Sequence, residues 1–259
     1  FCVFFCIGAS GIVVVEDSFI TVLAACLVSV IAALFIKKLF ARFEFRNIKS
    51  IAVGCVFTAA LIFEAICMTT YVKLSAAYFP LTIGGCFLCI AYIFFCGKTT
   101  FEYVFALFFW VGAVTVALSA TSLSNTVISE GSLIFNLREC LFCAAAFLLP
   151  YIAAVLWLDK KNVVMRSNTI ITGYAAGLIV PLVLSLLSSI MFSRISFHIH
   201  PLLTLARISD LSLELISEAV LYSYYILRCS VFLAAAYNCL KGYDICARKK
   251  HYKRKPDSE

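Results

Sequence analysis

Residues 19–36 read FITVLAACLVSVIAALFI, and residues 37–50 continue with KKLFARFEFRNIKS. The first stretch carries no charged side chain; the second places Lys37, Lys38, Arg42, Arg46 and Lys49 directly after it. A helix of that length covers roughly 27 Å, close to the hydrocarbon thickness of a bilayer. Lipid offers no hydrogen bonds, so a segment at that depth has to satisfy its backbone internally, which a helix does. Lys and Arg gathered just beyond such a segment mark the cytoplasmic face. An apolar run followed by a basic loop therefore predicts a membrane-spanning helix with a defined direction.

The rest of the chain repeats this alternation. Hydrophobic residues make up 63% of 259 and the mean hydropathy is +1.03, where a soluble domain is only about half apolar. Spans are predicted at 1–15 (short), 19–36, 51–72, 81–96, 103–122, 140–158, 169–192 and 217–240. Further basic positions follow the fourth span (Lys98) and the sixth (Lys160, Lys161, Arg166), and the tail reads ARKKHYKRK. The loops LSAAYFP, 123–138 and SRISFHIHP are poorer in Lys and Arg. This pattern predicts an all-α polytopic membrane protein with about eight transmembrane helices and both termini cytoplasmic. It has one transmembrane domain over 1–245 and a basic cytoplasmic tail over 246–259. The net charge of +7 then belongs to the inner face, where it meets anionic membrane lipids, and no nucleic-acid partner is needed to explain it. The chain opens on Phe1 without a basic n-region or a small-residue cleavage site; the expectation is a start further upstream, not a cleaved signal.

Thirteen cysteines suggest a disulfide framework or a metal site, but most of them lie within the apolar spans. Cys86 with Cys89 and Cys140 with Cys143 have zinc-like spacing, yet their apolar surroundings favour soft packing residues. His198 and His200 alone make an incomplete metal site. No phosphate loop, nucleophile elbow or HExxH motif is present, so neither an enzyme nor a cofactor is expected.

Four polar features inside the apolar sequence carry the functional reading. In IGASGIVVVED, residues 7–17, Gly8, Ala9, Ser10 and Gly11 allow either an unwound helix whose N–H groups hold a carboxylate or close helix packing. The run SLSNTVISEGSLIFNLRE, residues 122–139, brings Asn136, Arg138 and Glu139 to the mouth of the sixth span, as a helix discontinuity or as an ordinary outer loop. Glu64 lies within TAALIFEAICMTT of the third span, where an ionised carboxylate needs a cavity, a proton or a cation. Arg228 sits in the middle of the last span, in YYILRCSVFLAAA, and needs an internal acceptor: Glu64, helix-break carbonyls or a bound carboxylate. Gly8, Ala9, Ser10, Gly11, Glu64, Asn136, Glu139 and Arg228 are accordingly the candidate ligand-binding residues.

The segment HPLLTLARISDLSLELISEAVLYSYYILRCSVFLAAAYNCL resembles the permease-like B subunit of bacterial spore germinant receptors, which carries a pattern like YPTLELARLISIGDFLERLEA and later KISLFLYAA. Pro201, Leu205, Ala206, Arg207, Ile208, Ser209, Glu218 and Ala219 match the first part. Arg228, Ser230, Phe232, Leu233, Ala235 and Ala236 match the second, with Arg228 standing where the family has lysine. EDSFITVLAA is similar to the family's QDAWISVLLA, and FLLPYIAAVLWLDKKNVV to its LLPFLKDPKKAL. The resemblance implies the amino acid, polyamine and organocation transporter superfamily, whose fold is two inverted five-helix repeats. This chain would then be a truncated 5+5 form that stops after the eighth of ten helices. It further implies a substrate at the midplane between broken helices one and six, with IGASGIVV similar to the superfamily's GSGI break and the sixth-helix break within 134–139. A nutrient-germinant receptor subunit of the spore inner membrane would bind an amino acid or similar small nutrient and act with A and C subunits. An amino-acid secondary transporter using Glu64 for proton coupling is the alternative, and a non-transporting scaffold copy is the third reading.

Overall fold

The structure, a computed structural model, describes residues 1–14, 18–42, 49–75, 79–95, 135–157, 167–191 and 211–252. Regular structure among the described residues is helical throughout. Helix α1 (Cys2–Ala9) tightens into a 3-10 turn (Ser10–Val14). It is followed by α2 (Phe19–Arg42), α3 (Lys49–Ser75), α4 (Phe79–Phe95), α5 (Leu137–Trp157), α6 (Ser167–Gly177), α7 (Ile179–Met191) and α8 (Leu211–Tyr252).

Five segments are long and apolar enough to cross a membrane: Phe19–Ile36, Ile51–Thr70, Leu137–Leu156, Asn168–Ser189 and Ile216–Cys239. Two shorter apolar helices, Cys2–Val14 and Pro80–Tyr92, accompany them. These seven fall on predicted spans; the predicted span 103–122 lies outside the described residues, as do His198 and His200.

The distribution of side chains is inverted relative to a water-soluble bundle. Large apolar residues face outward, with Leu81 79% and Leu88 73% exposed on α4 and Phe35 64% exposed on α2. Val56, Ile62, Phe63 and Ile66 do the same on α3. Buried polar residues lie inside: Arg228, Glu64, Ser10, Thr21, Ser29, Ser185, Ser188, Ser217 and Ser230. In water such an exterior would drive association, whereas in lipid it is the matched surface. With its apolar helices, it identifies an integral membrane protein. Several inner hydroxyls bond back along their own helices, Ser29 to the carbonyl of Cys26 at 2.8 Å, Ser188 to that of Ser185 at 3.0 Å and Ser230 to that of Ile226 at 2.7 Å. This local bonding satisfies a buried hydroxyl without a partner helix.

Helix α8 is the most buried of the spans and packs along α3, α4 and α5, while α1 packs on α6 and α2 on α5. Contact order gives the directions. Val14, Gly11 and Phe4 meet Cys143, Phe147 and Tyr151 respectively, so α1 with its 3-10 turn runs antiparallel to α5. Cys26 and Ser29 meet Leu178 and Tyr174, so α2 runs antiparallel to α6. Phe57 and Glu64 meet Phe232 and Arg228, so α3 runs antiparallel to α8. At the start of α5, the N–H of Asn136 donates to Thr21 Oγ1 at 3.2 Å near the start of α2, which makes those two helices parallel.

The stretch 169–192, read from sequence as one uninterrupted span, is broken. Leu178 separates α6 from α7, because Pro181 brings no N–H to the carbonyl of Gly177 four residues earlier. The chain stays hydrogen-bonded around the break, from Leu178 N to Tyr174 O at 3.1 Å and from Leu182 N to Leu178 O at 3.3 Å. The thiol of Cys26 also donates to the Leu178 carbonyl, at 3.9 Å.

Helices α1 and α6 approach to backbone contact through glycine. A Cβ on Gly177 would collide with the Phe5 carbonyl, and one on Gly8 would collide with the Tyr174 carbonyl. Gly84 on α4, by contrast, has open space where a Cβ would stand. Gly177→Ala is therefore expected to lower stability by about 1–3 kcal/mol through overpacking, whereas Gly84→Ala raises it by up to about 1 kcal/mol through helix propensity. Thermal unfolding of the two detergent-purified variants checks this; equal midpoints would mean that α1 and α6 are not in backbone contact.

Candidate functional site

Two helices place the charged residues at membrane depth. Glu64 lies on the span Ile51–Thr70 of α3, and Arg228 stands at the middle of the span Ile216–Cys239 of α8. From there an arginine side chain cannot snorkel to either surface, because each end of its span is roughly 15–20 Å away along the helix. Its acceptor has to be internal, and it is Glu64. Arg228 Nε donates to Glu64 Oε1 at 2.8 Å, and Nη2 donates to the same oxygen. Only 2% of Arg228 and 5% of Glu64 is exposed.

Apolar rings back the pair. The Arg228 guanidinium carbon lies 5.9 Å from the centre of the Phe232 ring, a cation–π contact from the next turn of α8. Phe232 in turn stacks on Phe57 of α3, with ring centres 6.1 Å apart. Cys67, Tyr225 and Cys229 also stand within the field of both charges.

The pair does not use up its hydrogen-bonding groups. Arg228 Nη1 is fully buried and has no acceptor among the described residues. The hydroxyl of Tyr224 is likewise buried without a partner among the described residues. Tyr224 precedes Arg228 by one turn and lies on the same face of α8, and Tyr174 is close enough to Arg228 to feel its charge. Orphaned donors of this kind cost free energy in a dry interior unless a ligand or water completes them. The sequence signal for Tyr224 was its spacing of four from Arg228; Tyr174, on a different helix, had none.

The other predicted residues form two separate groups. Gly8 and Ala9 end α1, Ser10 and Gly11 open the 3-10 turn, and all four are buried. Ser10 Oγ donates to the Ile7 carbonyl at 2.7 Å. A Cβ on Gly11 would meet the Phe147 ring at 2.8 Å and Pro181 at 3.3 Å. This glycine run thus lies against α5, α6 and α7, and its 3-10 turn also packs against α8, the helix that carries Arg228. Asn136 caps the start of α5, with Glu139 bonded to its side chain. Asn136 Oδ1 accepts from the N–H of Arg138 at 3.1 Å, and Asn136 Nδ2 donates to Glu139 Oε1 at 2.6 Å. Asn136 thus acts as an N-cap for an amide left open at the helix start, and Glu139 steadies its side-chain amide while the Asn136 N–H goes to Thr21. Of the polar run 122–139, the described residues 135–139 form this cap tied to Thr21, and 122–134 lie outside the described residues.

Among the described residues the cysteines form no ligand set. Cys86, Cys89, Cys140 and Cys143 are free thiols, and the Cys143 thiol donates to the Val14 carbonyl at 3.6 Å. Among the described residues no three His, Cys, Asp or Glu side chains gather to hold a metal ion.

Removing one member of a buried pair strands the other charge, which costs about 3–5 kcal/mol, whereas replacing both with apolar residues is close to neutral. Glu64→Ala and Arg228→Ala are each expected to lose that much, and Glu64→Leu combined with Arg228→Met to recover most of it. A double-mutant cycle in detergent with coupling below about 1 kcal/mol would show that the two charges do not depend on each other. No protein-family model, curated protein or solved structure matches this chain.

Proposed function

We propose that this protein is a transporter-like receptor subunit that binds a small nutrient bearing a carboxylate, an amino acid foremost, inside its helical bundle. Binding selects one helix arrangement, which is passed to partner subunits. The observation that carries the reading is Arg228 Nη1, a buried cationic donor at mid-membrane with no protein acceptor among the described residues. Planar guanidinium donors match carboxylates, and buried ionisable groups within membranes commonly mark ligand or ion pathways.

The architecture supports the finer part of the proposal, eight spans arranged as in a pair of inverted five-helix repeats. Counting 103–122 as the fifth span and α6 with α7 as the seventh, the antiparallel contacts are one with six, two with seven and three with eight. Inverted repeats relate each helix to the one five places later, in the opposite direction. The same directions make α4 parallel to α5 when consecutive spans cross the bilayer. The chain then leaves α4 at one face and enters α5 at the other, which favours a crossing between them. The interruptions at Ser10 and Leu178 lie on helices that pack together, but the second falls on the seventh predicted span, where the resemblance implied the sixth; α5 is continuous from Leu137 to Trp157.

The resemblance of 200–240 to the germinant-receptor permease-like subunits supplies the biological setting: the spore inner membrane and A and C partner subunits. A secondary transporter is the second reading, favoured by the intramembrane carboxylate of Glu64. Uptake of labelled amino acid into proteoliposomes under a proton gradient, abolished by Glu64→Gln, would support transport; binding without flux supports a receptor.

The receptor reading predicts a selective thermal shift in detergent when the chain is screened against amino acids, sugars and nucleosides. A ligand at a hundred times its dissociation constant adds about 2.7 kcal/mol to the native state. Tyr224→Phe is expected to raise the stability of the ligand-free protein by about 1 kcal/mol, because it removes an orphaned hydroxyl, and to shrink the shift produced by the ligand. No shift from any amino acid, in protein shown to be folded, would overturn the reading.

A further inference from the structure

Glu64 meets Arg228 through a single oxygen. Oε1 accepts from both Nε and Nη2, which occupies that side of the guanidinium. The opposite end, Nη1 with the second N–H of Nη2, is left as a planar fork, and Nη1 has no acceptor among the described residues. Glu64 Oε2 accepts no hydrogen bond from a described residue. A carboxylate seated on the fork would share Nη2 with Glu64. Two oxygens bonded to one nitrogen from neighbouring directions stand roughly 5 Å apart at ordinary hydrogen-bond lengths, within the range where like charges disfavour each other.

Charge balance sharpens this. The pair is already one cation and one anion, nearly wholly buried, so a simple carboxylate would leave net negative charge at membrane depth. A ligand with an ammonium beside its carboxylate brings its own countercharge, and Glu64 Oε2 is the acceptor that ammonium would face. We infer that Glu64 is the residue that sets ligand charge: it rejects simple carboxylates from the Arg228 fork and admits zwitterions. This rests on the receptor reading, which requires only that some amino acid binds, and adds the reason why an amino group is needed.

The test compares three probes on detergent-purified protein: the amino acid that stabilises the wild type, its deaminated acid and its decarboxylated amine, which for alanine are propionate and ethylamine. Wild type is expected to bind the amino acid at least about tenfold more tightly than either fragment, a difference of about 1.4 kcal/mol. Glu64→Gln keeps the side-chain shape and removes the charge. It is expected to bind the deaminated acid about tenfold more tightly than wild type does and to lose its preference for the amino acid. The inference is overturned if wild type binds the acid within about threefold of the amino acid, or if Glu64→Gln leaves the ratio unchanged. Should Glu64→Gln not fold, the three-probe comparison on wild type decides alone. If no amino acid binds wild type, the receptor reading falls and this inference with it; if one binds without charge discrimination, only this inference falls.

Discussion

A guanidinium at the centre of a membrane span needs an anion within the protein, and much of this fold follows from that requirement. Placing arginine at the middle of a transmembrane helix costs about 2.5–3.5 kcal/mol even on the mildest scale. Facing lipid would leave that cost uncompensated, so α8 has to turn Arg228 inward, and it is the most buried of the spans. Glu64 has to be on a helix that lies along α8 at matching depth, and α3 meets that condition in the antiparallel direction. The Phe57 and Phe232 rings fill the next layer, so the two charges pair in a region of low dielectric.

The second constraint is the absence of a hydrophobic driving force between helices in lipid. Association then depends on close packing and a few polar contacts. The α1–α6 contact uses the first device, with Gly8 and Gly177 admitting the facing backbone. The Asn136–Thr21 contact uses the second, fixing the starts of α5 and α2 at one face. Thiols serve a related purpose. Cys26 and Cys143 donate weakly to Leu178 O and Val14 O, carbonyls beside helix interruptions where ordinary intrahelical bonding is reduced. That placement gives two of the many cysteines a structural role without any metal.

Charge-free length made the spans legible in sequence, because a run of apolar residues long enough to cross lipid has few other uses. Glu64 and Arg228 were legible as anomalies, but their pairing was not, since it depends on which helices are neighbours and at what depth. The interruption at Leu178 was written in Gly177 and Pro181, yet the high hydrophobicity of 169–192 masked it. The polar entry to the sixth span suggested a discontinuity or a loop; of its residues the structure describes 135–139, where Asn136 caps α5 and Glu139 bonds to its side chain. The glycine run of residues 8–11 remained open in sequence because unwinding and close packing call for the same small residues. In the structure the run makes a tight approach to α6, and at Ser10 the helix tightens to 3-10 geometry in place of unwinding.

The geometry of the ion pair bears on how binding could be felt beyond the site. Both donors of Arg228 converge on one glutamate oxygen, so the pair holds α3 and α8 together without saturating either group. A ligand can shift a conformational equilibrium only by the difference in its affinity for the two states. If a carboxylate takes the open fork, it competes with Glu64 for Nη2, and that competition depends on how α3 sits against α8. The helices that carry this adjustable contact are also counterparts in the proposed inverted repeat, so a change between them is a change between the two halves of the fold. A fully saturated, bidentate pair would resist such a change, and an unpaired arginine could not be retained at that depth. The single-oxygen arrangement lies between those extremes, which is the condition a ligand-responsive membrane receptor needs.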